Sequence, residues 1–121
     1  MTNINLESKF EKFNEHWHPY IIGELNENYV KIARLKGELV WHKHDHEDEL
    51  FIVLSGTLMM DFKDKKTVAT KAGEILIVPK GVEHRPWTNE EEVKIILVEP
   101  KNTKHTGDIK VEQTVEKLEW I

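Results

Sequence analysis

The apolar positions change period along the chain. Leu6, Phe10 and Phe13 fall at i, i+4 and i+7 with Glu and Lys between them, which predicts a helix from about Leu6 to His16 with one apolar face. Pro19 ends it, because proline disfavours the helical region for the residue before it. From Tyr20 to Glu99 the pattern becomes short runs of Val, Ile, Leu and aromatics, which predict strands at Tyr20 to Leu25, Tyr29 to Leu35, Leu39 to His44, Leu50 to Leu54, Thr57 to Phe62, Thr67 to Lys71, Ile75 to Val78, Val82 to His84 and Val93 to Val98. Turn residues separate them at Asn26 to Asn28, Ser55-Gly56, Lys63 to Lys65, Ala72-Gly73 and Lys80-Gly81. So many short strands predict an all-β fold, an antiparallel barrel closed or sandwiched so that few sheet edges are exposed, with a short N-terminal helix.

Leu50 to Leu54 and Val93 to Val98 carry apolar residues on both faces, so the outer wall needs a cover. A second subunit in a homodimer, or the terminal segments, would supply it. The tail starts polar and ends in Val115, Leu118, Trp120 and Ile121, which predicts a docked end. The expected organisation is one domain: residues 1–19 helix and lead-in, 20–99 barrel, 100–121 tail.

Composition narrows the chemistry. A chain of 121 residues with 39% apolar and 32% charged residues folds by burial around one core. Without Cys, disulfide frameworks, thiolate metal sites and cysteine nucleophiles are excluded. A formal charge of −5 and only two Arg leave no cationic surface for a nucleic acid. The longest apolar runs are too short to cross a bilayer as helices, and Met1 to Phe10 lacks the features of a secretory signal, so a cytoplasmic location without a membrane partner is expected. Seven His remain as the good nitrogen ligands of the chain.

Two stretches place these imidazoles usefully. In Trp41-His42-Lys43-His44, side chains alternate faces, so His42 and His44 point to one side of a strand, close enough to share an ion. Glu49 opens the next strand, where an antiparallel neighbour returns a carboxylate to the same point. In Gly73-Glu-Ile-Leu-Ile-Val-Pro79-Lys-Gly81-Val-Glu-His84, the turn at Pro79 to Gly81 brings a third imidazole, His84, from across the barrel. His46 shares the parity of His42 and His44, so a register using His44 and His46 is an alternative. Glu47 and Asp48 read as solvated groups or partners of the ligands. His16-Trp17-His18 repeats the HxH spacing beside Pro19 without the Glu and Gly that accompany the first pair, and reads as structural. His105 lies in the polar tail and reads as a surface residue. Trp41 and Trp87 flank the two stretches, lining either a pocket or the wall, and Trp17 and Trp120 read as packing anchors.

HxH, four residues, Glu, six residues and Gly, followed by Gly, five residues, Pro, one residue, Gly, two residues and His, resembles the two motifs of the cupin superfamily. The resemblance covers Gly37 to about Asn89. It departs from the family pattern in having four residues between Gly37 and His42, where five are usual, and four between His84 and Asn89, where three are usual. It implies a jelly-roll barrel in which His42, His44, Glu49 and His84 ligate a divalent transition-metal ion: Fe, Mn, Ni, Cu or Zn. It also implies a wide range of roles, from isomerases, epimerases, dioxygenases and decarboxylases to binding and storage proteins. The stretch from Trp41 to Phe51 looks like the small single-domain cupins often labelled mannose-6-phosphate isomerase-like. A phosphosugar would want a cation at the metal, yet Arg85, adjacent to His84, points the other way on a regular strand. The expectation is a metal-dependent enzyme acting on a small oxygen-rich organic molecule, of isomerase or dioxygenase type, without an assigned general base. The alternative is a non-catalytic module that binds or senses a sugar-like small molecule through the metal.

Overall fold

Nine strands follow one short helix in the computed structural model, which describes residues 1–121. The helix α1 spans Leu6–Phe10, and the strands are β1 Tyr20–Leu25, β2 Asn28–Leu35, β3 Glu49–Ser55, β4 Thr57–Phe62, β5 Val68–Lys71, β6 Ile75–Val78, β7 His84–Trp87, β8 Val93–Pro100 and β9 Glu119–Trp120. They form a six-stranded sheet, β6-β3-β8-β2-β1-β9, and a three-stranded sheet, β5-β4-β7. Every pairing is antiparallel except that of β9 with β1. This is a jelly roll of the expected all-β class with one short helix. No helix is long and apolar enough to cross a membrane.

Strand alternation builds two cores on opposite faces of the large sheet. Ala33 and Leu35 of β2, Phe51 and Val53 of β3, and Val93, Ile95 and Leu97 of β8 point inward and meet Leu58 and Met60 of β4 from the small sheet. The residues of opposite parity, Ile32 with Val30 and Ile96, meet Phe10, Phe13, Tyr20, Ile22 and Ile121 on the outside. The terminal segments therefore cover this part of the doubly apolar wall. The chain end is tied there by Ile121 N donating to Ile21 O at 3.1 Å and by Lys9 Nζ donating to Ile121 O at 2.6 Å.

Three elements differ from the pattern's forecast. The helix stops at Phe10 instead of His16, although Asn5 caps it by accepting from Ser8 N at 2.9 Å. Arg34 takes its terminal carbonyls: Nη2 donates to Phe10 O at 2.7 Å and Nε to Phe13 O at 3.0 Å, while Nη1 binds Glu92 at 2.6 Å. The chain then peels onto β2, where Trp17 N donates to Arg34 O at 2.8 Å.

Leu39 to His44 is extended but not a regular strand. Its bridges, Glu38 with Trp87 and His42 with His84, set four steps of chain against three, a one-residue bulge that interrupts the ladder. Finally, β7 begins at His84 instead of ending there. Pro86, which argues against a central strand, sits where its missing N–H costs no ladder bond and its carbonyl accepts from Leu39 N at 3.0 Å.

Arg34 joins the lead-in, β2 and Glu92 through three charge-assisted hydrogen bonds that, partly screened by water at Glu92, together contribute about 2–3 kcal/mol. Arg34→Met should lower stability by about 2–3 kcal/mol in urea unfolding, since the apolar stem is kept and the three donors are lost. A change below about 0.5 kcal/mol would show that water replaces the guanidinium without cost.

Candidate metal centre

The backbone places the imidazoles. His42 N donates to His84 O at 3.0 Å and His84 N donates to His42 O at 2.9 Å, an exchanged pair that puts both side chains on the inner face. Gly81 N donates to His44 O at 2.7 Å, so the turn at Pro79 to Gly81 also fixes His44, two residues on and on the same side. Glu49, first residue of β3, faces inward opposite Val78. One ligand atom from each of His42, His44, Glu49 and His84 lies within 4.8 Å of the others, and all four residues are buried.

The ring roles follow from the outer hydrogen bonds. His42 Nδ1 lies 2.8 Å from Val40 O and His84 Nδ1 lies 2.9 Å from Val82 O. A carbonyl only accepts, so each Nδ1 carries the proton and each Nε2 lone pair faces the cluster. Glu49 Oε1 stands 2.9 Å from His44 Nε2 and 3.3 Å from His84 Nε2. These three atoms are buried without a hydrogen-bond partner in the protein. Two ligands bound at about 2.1 Å and at right angles would stand about 3 Å apart, so the donor set fits a first-row divalent ion.

Burial acts first on His42, and the nearby His84 adds to it, pushing the imidazole down to about 4 and keeping it neutral. Glu49 is held well below the usual carboxylate range: burial, the largest single influence, opposes this, but the close approach of His44, His84 and Glu99 together favours the charged carboxylate.

Two residues behind the cluster escaped the sequence reading. Lys31 and Glu99, 1% and 3% exposed, meet side by side with Nζ 2.7 Å from Oε1. Burial, followed by the Glu49 charge, pushes the Glu99 carboxyl well above its usual range. The signal was present in the alternation: Glu99 shares inward parity with Val93, Ile95 and Leu97, and Lys31 with Ala33 and Leu35.

His105 also departs from expectation. The tail folds back and half-buries it in the wall of a cavity of about 40 Å³ shared with His42, Glu49 and His84. Burial is the main cause that lowers its imidazole to about 4. The surface reading fails because the segment from Lys101 is polar in composition yet packed.

His46 is exposed and takes no part in the cluster. Asp48 accepts from Lys80 N at 2.8 Å, bracing the turn after β6. His16 pairs with Glu92 at 2.8 Å and His18 stacks on Tyr20, so the second HxH is not a chelate. Arg85 lies on the outer face against Asp61 and Glu38. Trp41, under Lys63, and Trp87, bonded to Asp61, belong to that outer wall instead of the pocket. Trp17 is buried as an anchor, whereas Trp120 is 52% exposed, touching Tyr29 edge-on at the sheet margin where only β1 neighbours β9.

A sequence-family model of the cupin domain matches residues 31–100. A Bacillus subtilis (strain 168) protein called uncharacterized protein YdbB is 44% identical over 81 residues, covering 67% of this chain and 72% of that one. The crystal structure of a cupin-2 domain containing protein from Shewanella frigidimarina NCIMB 400 superposes with a TM-score of 0.78 at 46% identity, covering 81% of this chain and 94% of that one. Protein NMB1881 from Neisseria meningitidis gives a TM-score of 0.74 at 30% identity, covering 83% and 100%. KdgF from Halomonas sp., at 15% identity and a TM-score of 0.58 over 69% of this chain and 80% of that one, shares the fold.

Breaking the Lys31–Glu99 pair from one side strands an ammonium in the barrel. Glu99→Leu should cost about 3–5 kcal/mol in urea unfolding, and adding Lys31→Met should recover most of that loss. Equal stability of the single and double variants would show that the ammonium finds another partner.

Proposed function

The chain belongs to the cupin domain family, and on that premise we propose that it is a metal-dependent enzyme acting on a small oxygen-rich organic molecule. His42, His44, Glu49 and His84 would hold one divalent transition-metal ion. The observation that carries this reading is the convergence of four buried donor atoms, three of them without a partner in the protein. Leaving such groups buried and unpaired is costly, so a cation or protons must serve them. Imidazoles with a carboxylate suit Fe²⁺, Mn²⁺, Ni²⁺, Cu²⁺ or Zn²⁺. When bound, the ion supplies Lewis acidity and, if redox-active, one-electron chemistry.

The chain's own residues prepare that chemistry. His42 and His84 present fixed lone pairs, and Glu49 adds negative charge. Leu35, Leu39, Phe51, Ile95 and Leu97 surround the approach and limit water. Of the two reaction types expected, the dioxygenase type fits this cavity better. A volume of about 40 Å³ walled mainly by apolar side chains suits a diatomic or water-sized molecule, whereas a whole sugar would bring many hydroxyls to a wall with few partners for them.

A homodimer is part of the same reading. Ile75 and Ile77 on the edge strand β6 are 59% and 58% exposed, next to Ile52 and Leu50 on the same outer face, which the terminal segments leave uncovered. Light scattering at micromolar concentration should return twice the chain mass of 14.3 kDa, and a monomer would remove the dimer from the account.

Protein purified anaerobically should carry one transition-metal ion per chain, and His44→Ala should reduce it at least about tenfold. Incubated with small hydroxy acids, diols and enediols, the loaded protein should consume oxygen in a substrate-dependent manner that His44→Ala abolishes. A ligand that raises Tm without turnover would favour the binding module over the enzyme.

A further inference from the structure

We infer that His105, delivered by the C-terminal tail, is a ligand-contacting residue whose Nε2–H donates a hydrogen bond to the molecule held in the cavity beside the metal ligands. The inference rests on the metal reading above. Its first support is position: apart from the proposed ligands, His105 is the sole ionisable residue on the wall of the small cavity. The indole N–H of Trp17, its one other side-chain donor, is already committed to Lys36 O at 2.8 Å.

The second support is the tautomer. Val115 N donates to His105 Nδ1 at 3.0 Å, which fixes the lone pair on Nδ1. A neutral ring then carries its proton on Nε2, and that donor has no acceptor within the protein.

The third support is that the tail is built against the ligand segment. Gly107, at φ +61°, lies so close to the backbone of Lys43, the residue between His42 and His44, that a Cβ would overlap the Lys43 carbonyl. Thr106 is fully buried, bonded to Ile109 O and 2.7 Å from Thr114 Oγ1. These contacts and the Val115 N–H bond fix the position of His105 beside the cavity.

His105 is also the one residue shared between the small cavity and a larger pocket of about 810 Å³ that the tail forms with Tyr29 and Trp120. A pocket of that size accommodates a whole organic ligand. The ligand class that follows has an acceptor oxygen, as in a carboxylate or enolate, which passes His105 to reach the metal, and a body that stays under the tail.

Cobalt-loaded protein titrated with azide, followed by visible absorption, tests the donor without knowledge of the substrate. His105→Asn keeps an acceptor for Val115 N–H but is too short to reach the cavity, and His105→Gln restores reach with an amide N–H. The Asn variant should retain one cobalt per chain and bind azide about tenfold more weakly, a loss of about 1.4 kcal/mol, while the Gln variant should stay within about threefold of the parent. Parental azide affinity in the Asn variant, or a loss that Gln does not restore, would overturn the role of His105. Failure of the parent protein to bind cobalt would instead overturn the metal reading, so stoichiometry separates the two failures.

Discussion

The site depends on one exchange of main-chain hydrogen bonds, between His42 and His84. An exchanged antiparallel pair holds its two Cα atoms about 5.5 Å apart with both side chains on one face. From that constraint the two ring centroids come to 4.4 Å, and His44, two residues along, joins them. The bulge between Glu38 and His42 matters for the same reason. By absorbing one extra residue it lets Leu39 and His42, three positions apart, both face the interior. An apolar wall and an imidazole of the cluster thus come from one short segment that also carries His44.

Around this pair the chain arranges charges in layers. Glu49 stays ionised among the imidazoles, Glu99 is driven toward its neutral form, and Lys31 lies beyond it. Such groups cost stability when buried, and the protein meets the cost with the two apolar cores of the jelly roll and with termini that close over the outer sheet face. The tail serves both purposes. Its last residues extend the sheet beside β1, and its middle braces His105 next to the cavity.

Much of this was legible in the sequence, because the signals were local and periodic. The strand pattern, the parity of His42 and His44, and the turn at Pro79 to Gly81 are short-range features, and the structure brings together the four residues they single out. The outward side of Arg85 followed from the same alternation. What was not legible depends on contacts distant in sequence. The helix was read too long because nothing near Phe10 announces that Arg34, 24 positions away, will take its carbonyl. His105 was read as exposed because its neighbours are polar, while its burial comes from the tail folding over the barrel mouth. Lys31 and Glu99 had the right parity for the interior, but a charged residue on a strand suggests solvent until its partner is known.

The central claim is that three imidazoles and one carboxylate hold a single ion inside the barrel. X-ray absorption at the metal edge of protein loaded with one equivalent of Fe²⁺ or Zn²⁺ tests it most directly. The account predicts a nitrogen and oxygen shell at about 2.0–2.2 Å with the multiple-scattering signature of about three imidazoles, reduced by one in His84→Ala. A shell without imidazole scattering, or one unchanged by His84→Ala, would contradict it.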